Sequence, residues 1–264
     1  MKKLFPALLL AACTAVPAIR PALGAELVVG APPELAGCLD ALSAAFLAGE
    51  KGARLRFVTD ASEELYVKVS EGRPIDVYMS PDMRLQGQLL VDGKMVYDTW
   101  TMYATGRIVL WTADRRFDVT KGIRLLSDPA VKNVAAVNAA NPYIGITYAA
   151  LHHAGLLDKT MPRLVESDDM QGLVKSVRAG KAQVALLSYE TVLAPPMQGV
   201  GRYYMIPESE YEGEVLGHAA VVTLHGKANP LAHRFVHFLK TARAQAILVP
   251  RGFMRPPPGS VEVR

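Results

Sequence analysis

His233 and His237 stand four residues apart, the spacing that sets two imidazoles on one helix face where they could chelate a metal. Arg234 lies between them and no Glu completes a hydrolytic zinc motif, so surface histidines are the better reading. His152 and His153 are adjacent; on a helix they point about 100° apart and do not easily share an ion. Glu208, Glu210, Glu212 and Glu214 alternate, so an extended chain would project four carboxylates from one face toward a cation or a positive surface. Pro207 and Gly213 favour a solvated turn there instead. No Gly-x-Ser-x-Gly elbow, phosphate loop, Cys-x-x-Cys pair or His-Glu-x-x-His occurs, and Gly199-Val200-Gly201 lacks the third glycine of a dinucleotide loop. With no nucleophile and base in a recognisable pairing, an enzyme is not expected and no cofactor is implied.

The elements that would position any site alternate in type. Residues 27–29 read as a strand, and Leu35, Leu39, Leu42 and Phe46 recur at helical spacing up to Gly49, read as a C-terminal cap. Residues 54–59 form a strand, Leu65 and Val69 a helix closed by Gly72, residues 75–80 a strand and 82–91 a helix. A second set follows: strands at 108–112, 134–137 and 183–188, helices at 145–154 and 170–179, an extended run at 215–224 broken at Gly217, and a helix at 230–240. This alternation predicts two α/β units, each a mostly parallel sheet with helices on both faces. Loops at 30–35, 60–64, 138–145, 167–170 and 188–189 then gather at carboxyl ends of strands, where such sheets bind ligands and helix N-termini offer free N–H groups. Ser62 opens one of those helices, where its ordinary role is an N-cap.

The chain has 264 residues and a formal net charge of +4, from 29 Lys and Arg against 25 Asp and Glu. That length allows a sizeable core in one large domain or two of ordinary size. Lys2 and Lys3, the apolar run 4–13 and the small-x-small Ala22-Leu23-Gly24 predict an export signal over residues 1–24. The rival reading is a lipobox at Leu10-Ala11-Ala12-Cys13, which would anchor the protein through Cys13. Removal of residues 1–24 takes away Lys2, Lys3 and Arg20 and no acid, leaving 26 bases against 25 acids. The case for nucleic acid then loses its support. Cys38 alone of the two cysteines remains, so no intramolecular disulfide is expected.

Several of these segments carry a resemblance. Leu27-Val28-Val29-Gly30-Ala31, Ser62 with Leu65, Gly72-Arg73-Pro74-Ile75-Asp76-Val77-Tyr78-Met79-Ser80-Pro81-Asp82, Tyr189 and Gly252-Phe253 together resemble the periplasmic molybdate-binding proteins of ABC transporters. The resemblance implies a periplasmic-binding-protein-like fold: two doubly wound α/β lobes joined by a two-crossing hinge near 102–104 and 217–219. Lobe 1 would comprise 25–102 plus 218–264, and lobe 2 residues 103–217. It also implies a monomeric periplasmic protein that encloses molybdate or tungstate between the lobes and hands it to an ABC transporter permease. By the same resemblance Ser62 and Tyr189 donate hydroxyls to the anion, and Ile144 and Met170 supply backbone N–H groups. A dry cleft of such neutral donors selects an unprotonated oxyanion.

The first loop departs from that pattern. Glu34 stands where the family has a serine, behind Pro32 and Pro33, neither of which has an N–H to offer. An ionised carboxylate about 4 Å from a dianion costs on the order of 8 kcal/mol at an effective dielectric of 20. One or two charge-assisted hydrogen bonds return roughly 1.5 to 3 kcal/mol each. Glu34 therefore points away, carries a proton, or serves a different ligand such as a metal cation or an amine-bearing solute, with Asp60 as a possible second acceptor. Its bland role is a first-turn acid favoured by a helix dipole. Tyr143 and Ile144 also stand where small residues are usual, which would narrow the cleft.

Overall fold

A computed structural model describes residues 25–211 and 214–257; the export-signal reading, Cys13, and Glu212 and Gly213 of the acidic run lie outside these residues. In chain order the elements are β1 (Glu26–Ala31), α1 (Ala36–Leu47), β2 (Arg54–Thr59), α2 (Ser62–Ser70), β3 (Val77–Ser80), α3 (Met83–Val91) and β4 (Thr101–Thr105). They continue with β5 (Ile108–Thr112), β6 (Val134–Val137), α4 (Ile144–His153), α5 (Leu157–Thr160), β7 (Leu164–Ser167), α6 (Met170–Arg178) and β8 (Val184–Ser188). The last are α7 (Tyr189–Leu193), β9 (Arg202–Met205), β10 (Gly217–Val222), α8 (Pro230–Phe238) and α9 (Ala242–Leu248).

Two five-stranded sheets result, ordered β2-β1-β3-β10-β4 and β7-β6-β8-β5-β9. Each is mixed. In the first, β1 runs parallel to β2 and β3, while β10 is antiparallel to β3 and β4. In the second, β6 runs parallel to β7 and β8, while β5 is antiparallel to β8 and β9. The expectation of mostly parallel sheets is thus corrected: half of the pairings are antiparallel, because β5 and β10 are the strands that enter each sheet from the other. The chain passes between sheets twice, through Gly106 and Arg107 and again between Met205 and Gly217.

Each sheet has its own core. Leu35 at the N-cap of α1 and Leu39, Leu42 and Phe46 within it all turn inward, as their spacing requires, and join Leu27, Val29 and Val222. Phe235 of α8 meets Phe46 edge to face at 5.2 Å, so the end of the chain packs on the first sheet. A separate cluster runs from Ile108 through Val134, Leu173 and Leu187. Side chains cap the helices that matter to the loops: Asp82 accepts from the N–H groups of Arg84 and Leu85, and Asn229 from that of Leu231. Gly49 is not the left-handed residue after α1; Gly52 is, at φ 75°.

Candidate functional site

Pro33 follows β1, Ser62 follows β2 and Pro81 follows β3; Asn138, Asp168 and Thr191 follow β6, β7 and β8. All six line one cavity of about 390 Å³ between the two sheets, at the carboxyl ends of their parallel strands. Two strand-end loop clusters therefore face each other, which is where unpaired N–H groups at the starts of α2 and α6 converge. Ser62 comes from the first sheet and Met170 from the second.

Ser62 is not an N-cap. Ala61 holds that position, and the Ser62 hydroxyl instead ends a relay. The Asp82 N–H donates to Ser80 Oγ at 2.9 Å, and the Ser80 hydroxyl donates to Ser62 Oγ, also at 2.9 Å. With its lone pair engaged, the Ser62 proton is left to donate into the cavity, and each bond in the chain polarises the next. Opposite, Asp169 caps α6 by accepting from the Gly172 N–H at 2.7 Å. Asn138 donates to Asp168 Oδ1 at 2.5 Å and Asn141 to the Asp168 carbonyl at 2.9 Å, which ties the β6 and β7 loops together.

Glu34 lies on the same wall, in the short 3₁₀ turn Pro33–Leu35. Its Oε2 is buried with no hydrogen-bond partner. Burial pushes its carboxyl above the ordinary range; the N–H of its own residue opposes this, and the charge of Asp169 adds to it. The lining includes Glu34, Glu63, Asp168 and Asp169 but no Lys, Arg or His.

Two of the expected ligand residues are not on this wall. Tyr189 begins α7, where its N–H donates to the Arg107 carbonyl at 2.9 Å and its ring lies 4.8 Å below the Arg107 guanidinium and 5.7 Å from the Tyr203 ring. The residue of α7 that lines the cavity is Thr191, whose hydroxyl pairs with that of Ser188 at 2.7 Å. Ile144 has spent its N–H on the Asn141 carbonyl at 3.0 Å, and its side chain packs on the second core. Met170 lines the cavity, with its sulfur accepting from the Ser188 N–H at 3.3 Å.

Behind Glu34 a second cavity of about 710 Å³ reaches Cys38, Glu190 and Arg251. Glu190 is buried and accepts from the Tyr143 hydroxyl, which lies 3.4 Å from His218 Nε2, while its other oxygen has no partner. Burial holds the Glu190 carboxyl well above its usual range, pushes the Cys38 thiol up to about 12 and pushes His218 down to about 3. The Cys38 thiol and the His218 imidazole are therefore neutral at ordinary pH. Among the described residues no cluster of three or more His, Cys, Asp and Glu is arranged to hold a metal. His233 sits near the Lys227 carbonyl, and residues 208–211 form a 3₁₀ turn in place of an extended acidic face.

The family profile of bacterial extracellular solute-binding proteins matches residues 27–254. The molybdate-binding protein ModA of Rhodobacter capsulatus is 24% identical over 254 residues, covering 95% of this chain and 98% of its own. The solved periplasmic molybdate-binding protein of Azotobacter vinelandii superposes with a TM-score of 0.72 at 24% identity, over 88% of this chain and 100% of that one. Iron-bound HitA of Pseudomonas aeruginosa shares the fold at a TM-score of 0.67 and 16% identity, over 89% of each chain.

Proposed function

The chain belongs to the bacterial extracellular solute-binding proteins, a non-enzymatic family that delivers a small ligand to an ABC transporter, and from that premise we propose that its cleft takes a tetrahedral oxyanion, molybdate or tungstate. The observation that carries this reading is the convergence of Ser62 and the first turn of α6 on one cavity from opposite sheets. A hydroxyl with its lone pair already engaged and N–H groups at a helix start are donors matched to an oxyanion. The full-length relationship to a molybdate-binding protein supports the same ligand class. Ser62, Met170 and Thr191 form the proposed shell, with Glu34 at its edge. The two lobes, divided where the chain crosses between the sheets at residues 106–107 and between 205 and 217 rather than at 102 and 218, close over the ligand, and residues 1–24 direct export.

Calorimetric titration of the protein without residues 1–24 tests this, using molybdate, tungstate, sulfate and a panel of divalent and ferric cations. Molybdate or tungstate should bind, and Ser62→Ala should weaken binding by roughly 10- to 100-fold, the loss of one charge-assisted hydrogen bond. Failure of every oxyanion to bind would remove the proposal. A second reading draws on the unpartnered Glu34 oxygen and the acidic lining: a metal cation or amine-bearing solute accepted by Glu34. Binding from the cation panel that Glu34→Ser abolishes would establish it.

A further inference from the structure

An oxyanion entering this cleft meets four carboxyl groups and no cationic side chain on the wall of the 390 Å³ cavity. Three of the four have somewhere else to be. Glu63 is exposed and within 3.5 Å of Arg84, Asp168 accepts from Asn138, and Asp169 caps α6. Glu34 has no such outlet: the residue lines both cavities, and its Oε2 is enclosed and unpartnered. The prolines before it contribute no N–H, so the loop can present a donor from this side chain only if the carboxyl holds a proton.

Resting on the oxyanion reading, we propose that Glu34 joins the binding shell as a neutral carboxylic acid, so that each oxyanion is bound together with one proton taken from solvent. The proton goes onto Oε2, which changes from an unpartnered acceptor into an O–H donor where a serine hydroxyl would otherwise stand. Of the groups that face Glu34, the charge of Asp169 favours this and the one cation, Arg251, opposes it. Asp169 from α6 and Glu190 from α7 are acids, Tyr103 from β4 is a buried phenol, and Arg251 lies across the second cavity beside Cys38. Burial already raises the proton affinity of the carboxyl in the free protein, and a dianion beside it raises it further.

The test is molybdate titration of the whole exported chain between about pH 6 and pH 9, repeated in two buffers of different ionisation enthalpy. Affinity should rise by up to tenfold per pH unit as pH falls through the range where free Glu34 ionises, with close to one proton taken up per anion. Glu34→Gln, which offers an N–H donor and cannot titrate, should bind with an affinity flat in pH and take up no proton. Oxyanion binding that is flat in the wild type overturns the proton linkage while leaving the oxyanion reading intact. So does uptake that persists in Glu34→Gln, which assigns the proton elsewhere. No oxyanion binding at any pH, or cation binding that tightens as pH rises, overturns both readings.

Discussion

His218 is fully buried on β10, within 5.1 Å of the Phe253 ring and edge-on to Tyr103 and Tyr143. Its Nδ1 has no partner, and burial pushes it from 6.5 down to about 3. A base that folds neutral contributes stability above its unfolded value and loses it as pH falls from 6.5 toward 3, because only the unfolded chain takes the proton readily. The loss reaches on the order of 5 kcal/mol by pH 3. Urea denaturation at descending pH should show His218→Gln losing less stability than the wild type below pH 6.5; equal slopes would mean that His218 is not the titrating group. Nothing in the sequence around residue 218 announces a buried base, since burial is a property of the pairing of β10 with β3 and β4. Glu34 and Ser62 were legible because a residue type stood at a recognisable place in a loop. Thr191 and Glu190 were not, and Tyr143 was legible only as bulk narrowing the cleft and not as the partner of Glu190, because these roles depend on which turn of α7 faces the cleft and on contacts between the two sheets.

Asp169 acts through its element. It caps α6 and, from the same position, its charge bears on Glu34. Asn caps about as well as Asp, so Asp169→Asn should leave denaturant stability within about 0.5 kcal/mol of wild type. With that negative charge gone, Glu34 holds its proton less tightly, and the pH at which molybdate affinity begins to fall should move down in the same titration. An unchanged midpoint would place Asp169 outside the field that Glu34 feels. The helices with side-chain caps or a clear apolar stripe, α1, α3, α6 and α8, were readable within a residue or two of their ends. The short α5 and the edge strands β7 and β9 were not: each has four residues, and the two strands are partly exposed, so they lack the continuous buried run that made the equally short β3 and β6 readable. Strand direction was hidden for another reason. The antiparallel partners of β5 and β10 are set by where the chain re-enters a sheet, which local periodicity does not encode.

At the scale of the molecule, a ligand gripped from both sheets ties together two bodies with separate cores. Saturating molybdate should reduce the radius of gyration in small-angle scattering and raise unfolding stability by about 2.7 kcal/mol at a hundredfold excess over the dissociation constant. Binding with no compaction would argue that the cleft is already shut. The topology also decides where such motion is visible. β1 lies in the first sheet, and near the other end Met254 exchanges both backbone hydrogen bonds with Thr105 of β4, in that same sheet. The second sheet thus leaves and rejoins the first as one long excursion. A tether at either end of the folded region holds the same body and leaves the other free to swing. For the same reason, fluorophores attached at both ends would keep a constant separation during closure, whereas one on the outer face of α2 and one on α6 would report it.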